Sequence, residues 1–327
     1  MLGVWMGRRP AQGTNLSHHP HEASGVEHEQ QWLSSPLVVV AGRPCTSRRS
    51  SPGCIPSTSP VSWRPNGRNA ISPSIWNIEK DATMTSPSRK PCVVCWSEAT
   101  APADVYPADI NTAVAEGLAQ SLPDWDVVIA GLDDANQGIP IDLLNRCDVL
   151  VWWGHKRHGE VDDARVEQIV QRVTQDGMGF VSLHSAHFAK PNIALMSQEP
   201  TDPALLGVVR PEGRVAAWGA YVGDSLDLTV EATAPDHPIT AGVPPSFTIA
   251  HHERYSDPYA VPPAEAILFE GDAVLQDGSI DHSTVGLCWT LGAGRMFYFQ
   301  AGHETDPVFF DPNVRLIMAN AVRWAKS

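Results

Sequence analysis

Several features that would sort a chain at once are scarce or missing here. Basic residues are few: 23 Lys and Arg stand against 37 Asp and Glu, giving a formal net charge of −14 and a pI near 5.3. So acidic a chain is a poor binder of phosphate backbones, which argues against a nucleic-acid partner. No apolar run approaches the ~20 residues of a membrane-crossing helix, which argues against a membrane partner. The six cysteines lack the spacing of a disulfide framework, which fits a reducing, cytoplasmic location. No G-x-G-x-x-G follows the first apolar run, so no dinucleotide cofactor is indicated. Gly154 and Gly159 flank charged residues without making a phosphate loop.

What is present is unevenly distributed. Residues 1–83 carry 8 basic and 5 acidic residues, a net charge of +3, with 12 Ser, 9 Pro and 7 Gly. They show no sustained period of 2 or 3.6, and such a composition buries too little apolar surface to offset the entropy of ordering. Met84 opens MTSPSRKPCVVCW, which reads as an ordinary start running into a first strand. We therefore expect residues 1–83 to be a disordered leader or an over-extended start, and residues 84–327 to be one domain with a net charge of −17.

Within 84–327 the hydrophobic pattern alternates between short β-forming runs and helical periods. Strands are expected over 91–96, 126–132, 148–153 and 177–184. Helices are expected over 108–122, a short stretch at IDLLNRC, 161–177 with Gly177 as C-cap, and about 186–196. Strands alternating with helices imply βαβ units and a parallel sheet covered on both faces. Beyond 197 comes a Pro- and Gly-rich stretch, then six short β-like runs: RVAAWGAYV, LDLTVEA, SFTIAHH, AILFEG, VGLCWT and RMFYFQAG. A final helix is expected over 313–325. The fold class is thus α/β with a β-rich extension.

Chemistry is expected at the carboxyl ends of the strands, where open parallel sheets bind ligands. Seven of the nine histidines in 84–327 fall in four segments there: WWGHKRH, LHSAH, FQAGHET and AHHERY. Imidazole titrates near neutral pH and ligates transition metals, so such clustering suits an acid–base or a metal site. The candidates are His155, His184, Ser185, His187, Glu253, Tyr255, His303 and Glu304. Cys92 and Cys95 form C-x-x-C inside a strand and are read as buried thiols, since a redox pair opens a helix. Ser185 is read as an N-cap, with a Ser185–His187 hydrolase as the disfavoured alternative.

The blocks VLVWWGHKRHGEV, GMGFVSLHSAHFAKP, FYFQAGHET and IMANAVRWA resemble the ThuA-like (trehalose-utilisation) family across most of 91–326. The resemblance implies a class I glutamine amidotransferase-like fold, a flavodoxin-like three-layer sandwich with a mostly parallel sheet. It also implies a small-molecule sugar partner. Amidotransferases of that superfamily place a nucleophilic Cys at the turn after a central strand. The matching position here is His184, and the catalytic His-x-Glu is replaced by adjacent His303 and Glu304. Without a thiolate, glutamine hydrolysis cannot run in its usual form.

The family implies action on trehalose or a related disaccharide, as an oxidised (keto) sugar. His184, His187, His303, Glu304 and Glu253 are then the expected acid–base residues, with Trp153, His155, Ser185 and Tyr255 binding substrate. A divalent metal such as zinc, held among His155, His184, His187 and His303, is the second version. A non-catalytic sugar-binding module is the third, and a homo-oligomer is left open. Trp152, Trp153 and Trp218 could stack on a sugar ring, one of the tandem pair being expected in the core. The chain departs from the family between Lys190 and Trp218. It departs again at Glu253–Arg254–Tyr255–Ser256–Asp257–Pro258, where Glu–Met–Tyr–Gly–Glu–Pro is usual.

Overall fold

The computed structural model describes residues 89–196, 220–256 and 261–326. The expectations for residues 1–83, for the stretch 199–213, for Trp218 and for Asp257 and Pro258 lie outside them.

The first strands form where β-branched and aromatic residues cluster: β1 (Cys92–Ser97), β2 (Asp126–Gly131), β3 (Val149–Trp153) and β4 (Gly179–Leu183). β1, β3 and β4 are buried along their whole length, as central parallel strands covered on both faces must be. Their side chains alternate between two cores. Val93 and Cys95 join one; Cys92, Val94 and Trp96 join the other, where Trp96 stacks on its register partner Trp152 at 3.7 Å between ring centroids. The two thiols of C-x-x-C thus face opposite ways and are free, as expected of buried cysteines.

Helix α1 (Asp109–Ser121) and the last helix, α5 (Pro312–Ala325), cover one face through Val114, Leu118, Ile317 and Met318. Helices α2 (Ile141–Arg146), α3 (Asp163–Thr174) and α4 (Lys190–Met196) cover the other through Leu144, Ile169 and Leu195. The start of α5 is written locally. Asp311 accepts hydrogen bonds from the amides of Asn313 (2.7 Å) and Val314 (3.2 Å), and Pro312 has no amide hydrogen to satisfy. No helix among the described residues is long and apolar enough to cross a membrane.

The remaining strands are β5 (Ala220–Ala232), β6 (Ser246–Ser256), β7 (Ala266–Val274), β8 (Ile280–Leu291) and β9 (Gly294–Phe299). Among the described residues all nine strands join one sheet in the order β2-β1-β3-β4-β9-β8-β7-β5-β6. This corrects the expectation of a mostly parallel sheet: four pairings are parallel and four antiparallel. The reason is connection length. Only Gly292 and Ala293 separate β8 from β9, and so short a link can join only antiparallel neighbours.

Three smaller expectations also change. Helix α3 stops at Thr174, before Gly177, which takes a left-handed φ of 80° outside it. The helix expected over 186–196 is a 3₁₀ turn, His184–Phe188, followed by α4. AHHERY lies inside a strand and not past its end, because β6 runs on to Ser256.

Candidate active site

Three loops leave the carboxyl ends of β3, β4 and β9, and each delivers one histidine to a single pocket. The ring centroids of His155 and His303 lie 4.8 Å apart, those of His184 and His303 5.5 Å, and those of His155 and His184 6.1 Å. Glu304 follows His303 on the third loop. Glu253 arrives from the middle of β6.

The loop after β3 is shaped by a residue that sequence reasoning did not single out. Glu98, buried just past β1, accepts hydrogen bonds from three consecutive backbone amides: His155 (2.7 Å), Lys156 and Arg157 (2.9 Å). A Cβ on Gly154 would stand 3.1 Å from the Glu98 carboxylate and 3.2 Å from His158. A side chain there would push on both. A buried acid directly after a central strand was the available signal.

The loop so held aims His155 at Glu304. Its Nδ1 lies 2.6 Å from Glu304 Oε2, and the solvent-exposed Lys156 reaches Glu304 Oε1 at 2.7 Å. Burial works against charge on His155, but the Glu304 hydrogen bond and the nearby Glu253 outweigh it, so its pKa is raised. Burial pushes the Glu304 carboxyl up; His155, His303 and Lys156 more than reverse this, and its pKa is lowered.

His184 sits at the turn after β4 with φ of 52°, an uncommon conformation for a residue with a side chain. Both its nitrogens are engaged. Nδ1 donates to the Gln300 carbonyl at 2.7 Å, and Nε2 lies 2.8 Å from Glu253 Oε2. A carbonyl only accepts, so Nδ1 carries a hydrogen. Burial raises the Glu253 carboxyl, but the His184 hydrogen bond and charge bring it down to about 2. Gln300 completes the link by donating from its side-chain amide to the Glu253 carbonyl at 3.0 Å.

His303 stands between the two carboxylates. Its Nε2 is 3.4 Å from Glu304 Oε2 and 4.0 Å from Glu253 Oε1, and its Nδ1 pairs with the Thr305 hydroxyl at 2.7 Å. Burial and the neighbouring His184 lower its pKa to about 4. The side chains of His155 and His303 keep 12% and 13% exposure, so the pocket opens to solvent through these two rings. One donor atom from each of His155, Glu253 and His303 lies within 4.8 Å of the others, a set able to hold a metal ion.

Other expected site residues fall elsewhere. His187 is buried behind the pocket, its Nδ1 2.9 Å from the His184 carbonyl and 3.0 Å from the Tyr298 hydroxyl. Neither it nor His184, whose nitrogens are both engaged, is among the three residues whose donor atoms lie within 4.8 Å of one another. Ser185 caps no helix; its buried hydroxyl donates to the Gly154 carbonyl at 3.0 Å. Trp153 is buried in the core and its indole donates to the Gly302 carbonyl at 3.0 Å, while Trp152 is buried on the other face. The core takes both indoles, not one, so neither offers a face to a sugar. Tyr255 is brought in: its ring centroid is 5.4 Å from that of His184.

His251 is exposed, with φ of 52°, at a point where one extra β6 residue opposes β5. That bulge changes which side chains share a face, and Glu253 and Tyr255 reach His184 while His251 and His252 do not. Asp306, also unforeseen, lies on the His303 loop with a buried carboxyl that burial raises to about 6.

The chain is similar to several solved structures. A ThuA-like protein of Parabacteroides merdae matches with 16% identity and a TM-score of 0.50, over 73% of this chain and 91% of that one. A ThuA-like protein of Bacteroides uniformis matches with 17% identity and a TM-score of 0.47, over 73% and 93%. The cytoplasmic protein STM1381 of Salmonella typhimurium LT2 matches with 13% identity and a TM-score of 0.48, over 72% and 100%. No curated protein matches by sequence. The family model described as trehalose utilisation covers residues 94–325 and with them every residue of the pocket. The chain belongs to the ThuA, trehalose-utilisation, family.

Proposed function

We propose that this protein works in carbohydrate utilisation, on an oxidised (keto) form of trehalose or a related disaccharide, by acid–base chemistry of His and Glu. The observation that carries this reading is the convergence of two imidazole–carboxylate pairs, His155–Glu304 and His184–Glu253, with His303 between them. A keto sugar offers a carbonyl oxygen and an acidic C–H beside it. One positioned group removes that proton while another donates to the oxygen, which suits isomerisation, epimerisation or elimination. His155 and His303 are the members open to solvent, and so the ones that meet a ligand first. His184 and Glu253 share a proton that can move with the reaction. His187 and Gln300 hold the His184 turn from behind. Tyr255 supplies an aromatic wall.

The finer reading of the fold supports the same placement. The order β2-β1-β3-β4-β9 is the 2-1-3-4-5 order of a flavodoxin-like sheet, with helices on both faces. His184, at positive φ after a central strand, stands where amidotransferases of class I carry their cysteine. With imidazole in place of a thiol, the chain is no glutamine amidotransferase. We take residues 84–327 as the working domain, in the cytoplasm.

The test is solvent exchange. The purified protein is incubated with keto-trehalose in deuterium oxide and followed by proton NMR. We expect loss of the C–H signal beside the ketone, faster than in buffer, and abolished by His184→Ala and by His303→Ala. Ligand binding without exchange or product would overturn the enzyme reading in favour of a sugar-binding module on the same fold.

A further inference from the structure

We propose that His155, Glu253 and His303 form a site for one divalent transition-metal ion of the zinc class. The first ground is the donor set. Two imidazoles and one carboxylate, with all three donor atoms within 4.8 Å, match a catalytic zinc site, which takes three protein ligands and leaves a position open. Bonds of roughly 2.1 Å would draw the donors to about 3.4 Å from one another, a shift within reach of side-chain rotation.

The second ground is what stands behind the ligands. Metal-binding histidines almost always engage their second nitrogen with a carboxylate or another fixed partner. Here Nδ1 of His155 meets Glu304, and Nδ1 of His303 meets Thr305. A carboxylate only accepts, so Nδ1 of His155 carries the hydrogen, and Nε2 is the atom left to face a metal, which would bind there in place of a proton. Glu253 is anchored likewise. His184 holds Oε2, and Oε1 is turned towards His303. His184 itself has no nitrogen to spare. Its place is to orient the carboxylate ligand, as Glu304 orients His155.

Exposure is the third ground. His155 and His303 are the rings that keep access to solvent, so an ion could enter and a sugar oxygen could reach its open position. In the reaction proposed above, the ion would polarise the keto oxygen, a task otherwise left to a proton donor. Only that last step rests on the functional reading; metal binding itself does not.

The experiment uses the full chain without a histidine tag, stripped with chelator and titrated with zinc by calorimetry. His18, His19, His21 and His28, outside the described residues, could also bind metal, so the titration is repeated with all four replaced by Ala. We expect one equivalent in both proteins. His303→Ala and Glu253→Gln should each weaken it at least ~100-fold. Glu304→Gln should weaken it roughly 10-fold by loosening His155. Because an Ala variant can lose its fold, cobalt is added to the unsubstituted protein as well. Visible absorption bands of a nitrogen–oxygen site should appear, and should shift in Glu304→Gln. No tight equivalent, no cobalt bands, or an equivalent indifferent to Glu253→Gln and His303→Ala overturns the proposal. Deuterium exchange that survives chelation overturns the ion's part in the reaction and leaves the acid–base reading, while the zinc titration alone decides the site. One bound zinc with no sugar exchange keeps the metal and removes that reading.

Discussion

The sheet has two halves that place functional residues by different rules. In the parallel half, strands are buried throughout, so polar chemistry can only sit past their ends. His155, His184 and His303 each follow a strand by one to four residues. In the antiparallel half, Glu253 lies inside β6, an edge strand of eleven residues. Its outer part alternates between exposed and buried, and its last five residues are all buried. An edge strand can bulge without breaking pairing on a second side, and the extra residue near His251 uses that freedom. The parallel half thus supplies a rigid set of loops, and the antiparallel half supplies a side chain that leans in over them. The parallel half holds one His–carboxylate pair by itself, His155–Glu304, while His184 needs Glu253 from the other half.

The widest break between the halves is chemical. Glu253→Gln and His184→Asn remove the same proton-sharing pair from opposite sides. Each should lower turnover by roughly 10² to 10⁴, and the double variant by no more than the single ones, because residues that act as a unit are not additive. Strictly additive losses would show that the halves work separately. Next in size is the hinge before His303. Gly302 has φ of 140°, and a Cβ there would stand 2.5 Å from the Phe309 ring. Gly302→Ala should cost about 2–3 kcal/mol in a denaturant titration. An unchanged midpoint would mean that the loop adapts freely.

A smaller effect tests how the core supports that loop. Trp153→Phe keeps the aromatic bulk but strands the Gly302 carbonyl, at a cost of about 1–3 kcal/mol. Turnover should fall with stability while sugar-ring affinity holds. A selective loss of affinity would return Trp153 to the substrate. The smallest effect is pH-dependent. The Asp306 carboxyl binds its proton more tightly in the folded chain, up to about 6, than in the unfolded one, because burial disfavours its charge. Stability from this group is therefore present below about pH 4 and lost as pH rises towards 6. Asp306→Asn should raise the Tm at pH 8 by a degree or two and leave it unchanged at pH 4. A gain of equal size at both pH values would assign the effect to packing, not charge.

Much of the parallel half was legible in the sequence. CVVCW, VLVWW and GFVSL are runs that only buried strands explain, and α1 and α5 announce themselves by spacing and, for α5, by Asp311–Pro312. The histidines at strand ends could be nominated from the same pattern, since the carboxyl ends of parallel strands point one way. Where the pattern failed, the cause was long-range. His187 lies three residues from His184, yet the turn sends its ring behind the pocket instead of into it. Trp152 and Trp153 look equally available for a ligand until both faces of the sheet are seen to be covered. Glu98, Gln300 and Asp306 carry no motif, and their roles exist only through partners far away in the chain.

The sequence by itself determined the family, the βαβ rhythm and the residues worth asking about, because strand burial, helix period and capping are read from neighbours in the chain. Only the tertiary structure decided which histidines meet. It set the bulge that turns Glu253 towards His184, the grip of Glu98 on three amides, and the direction in which each ring nitrogen points. Those depend on where an edge strand lies against the rest of the sheet, and no local preference encodes that position.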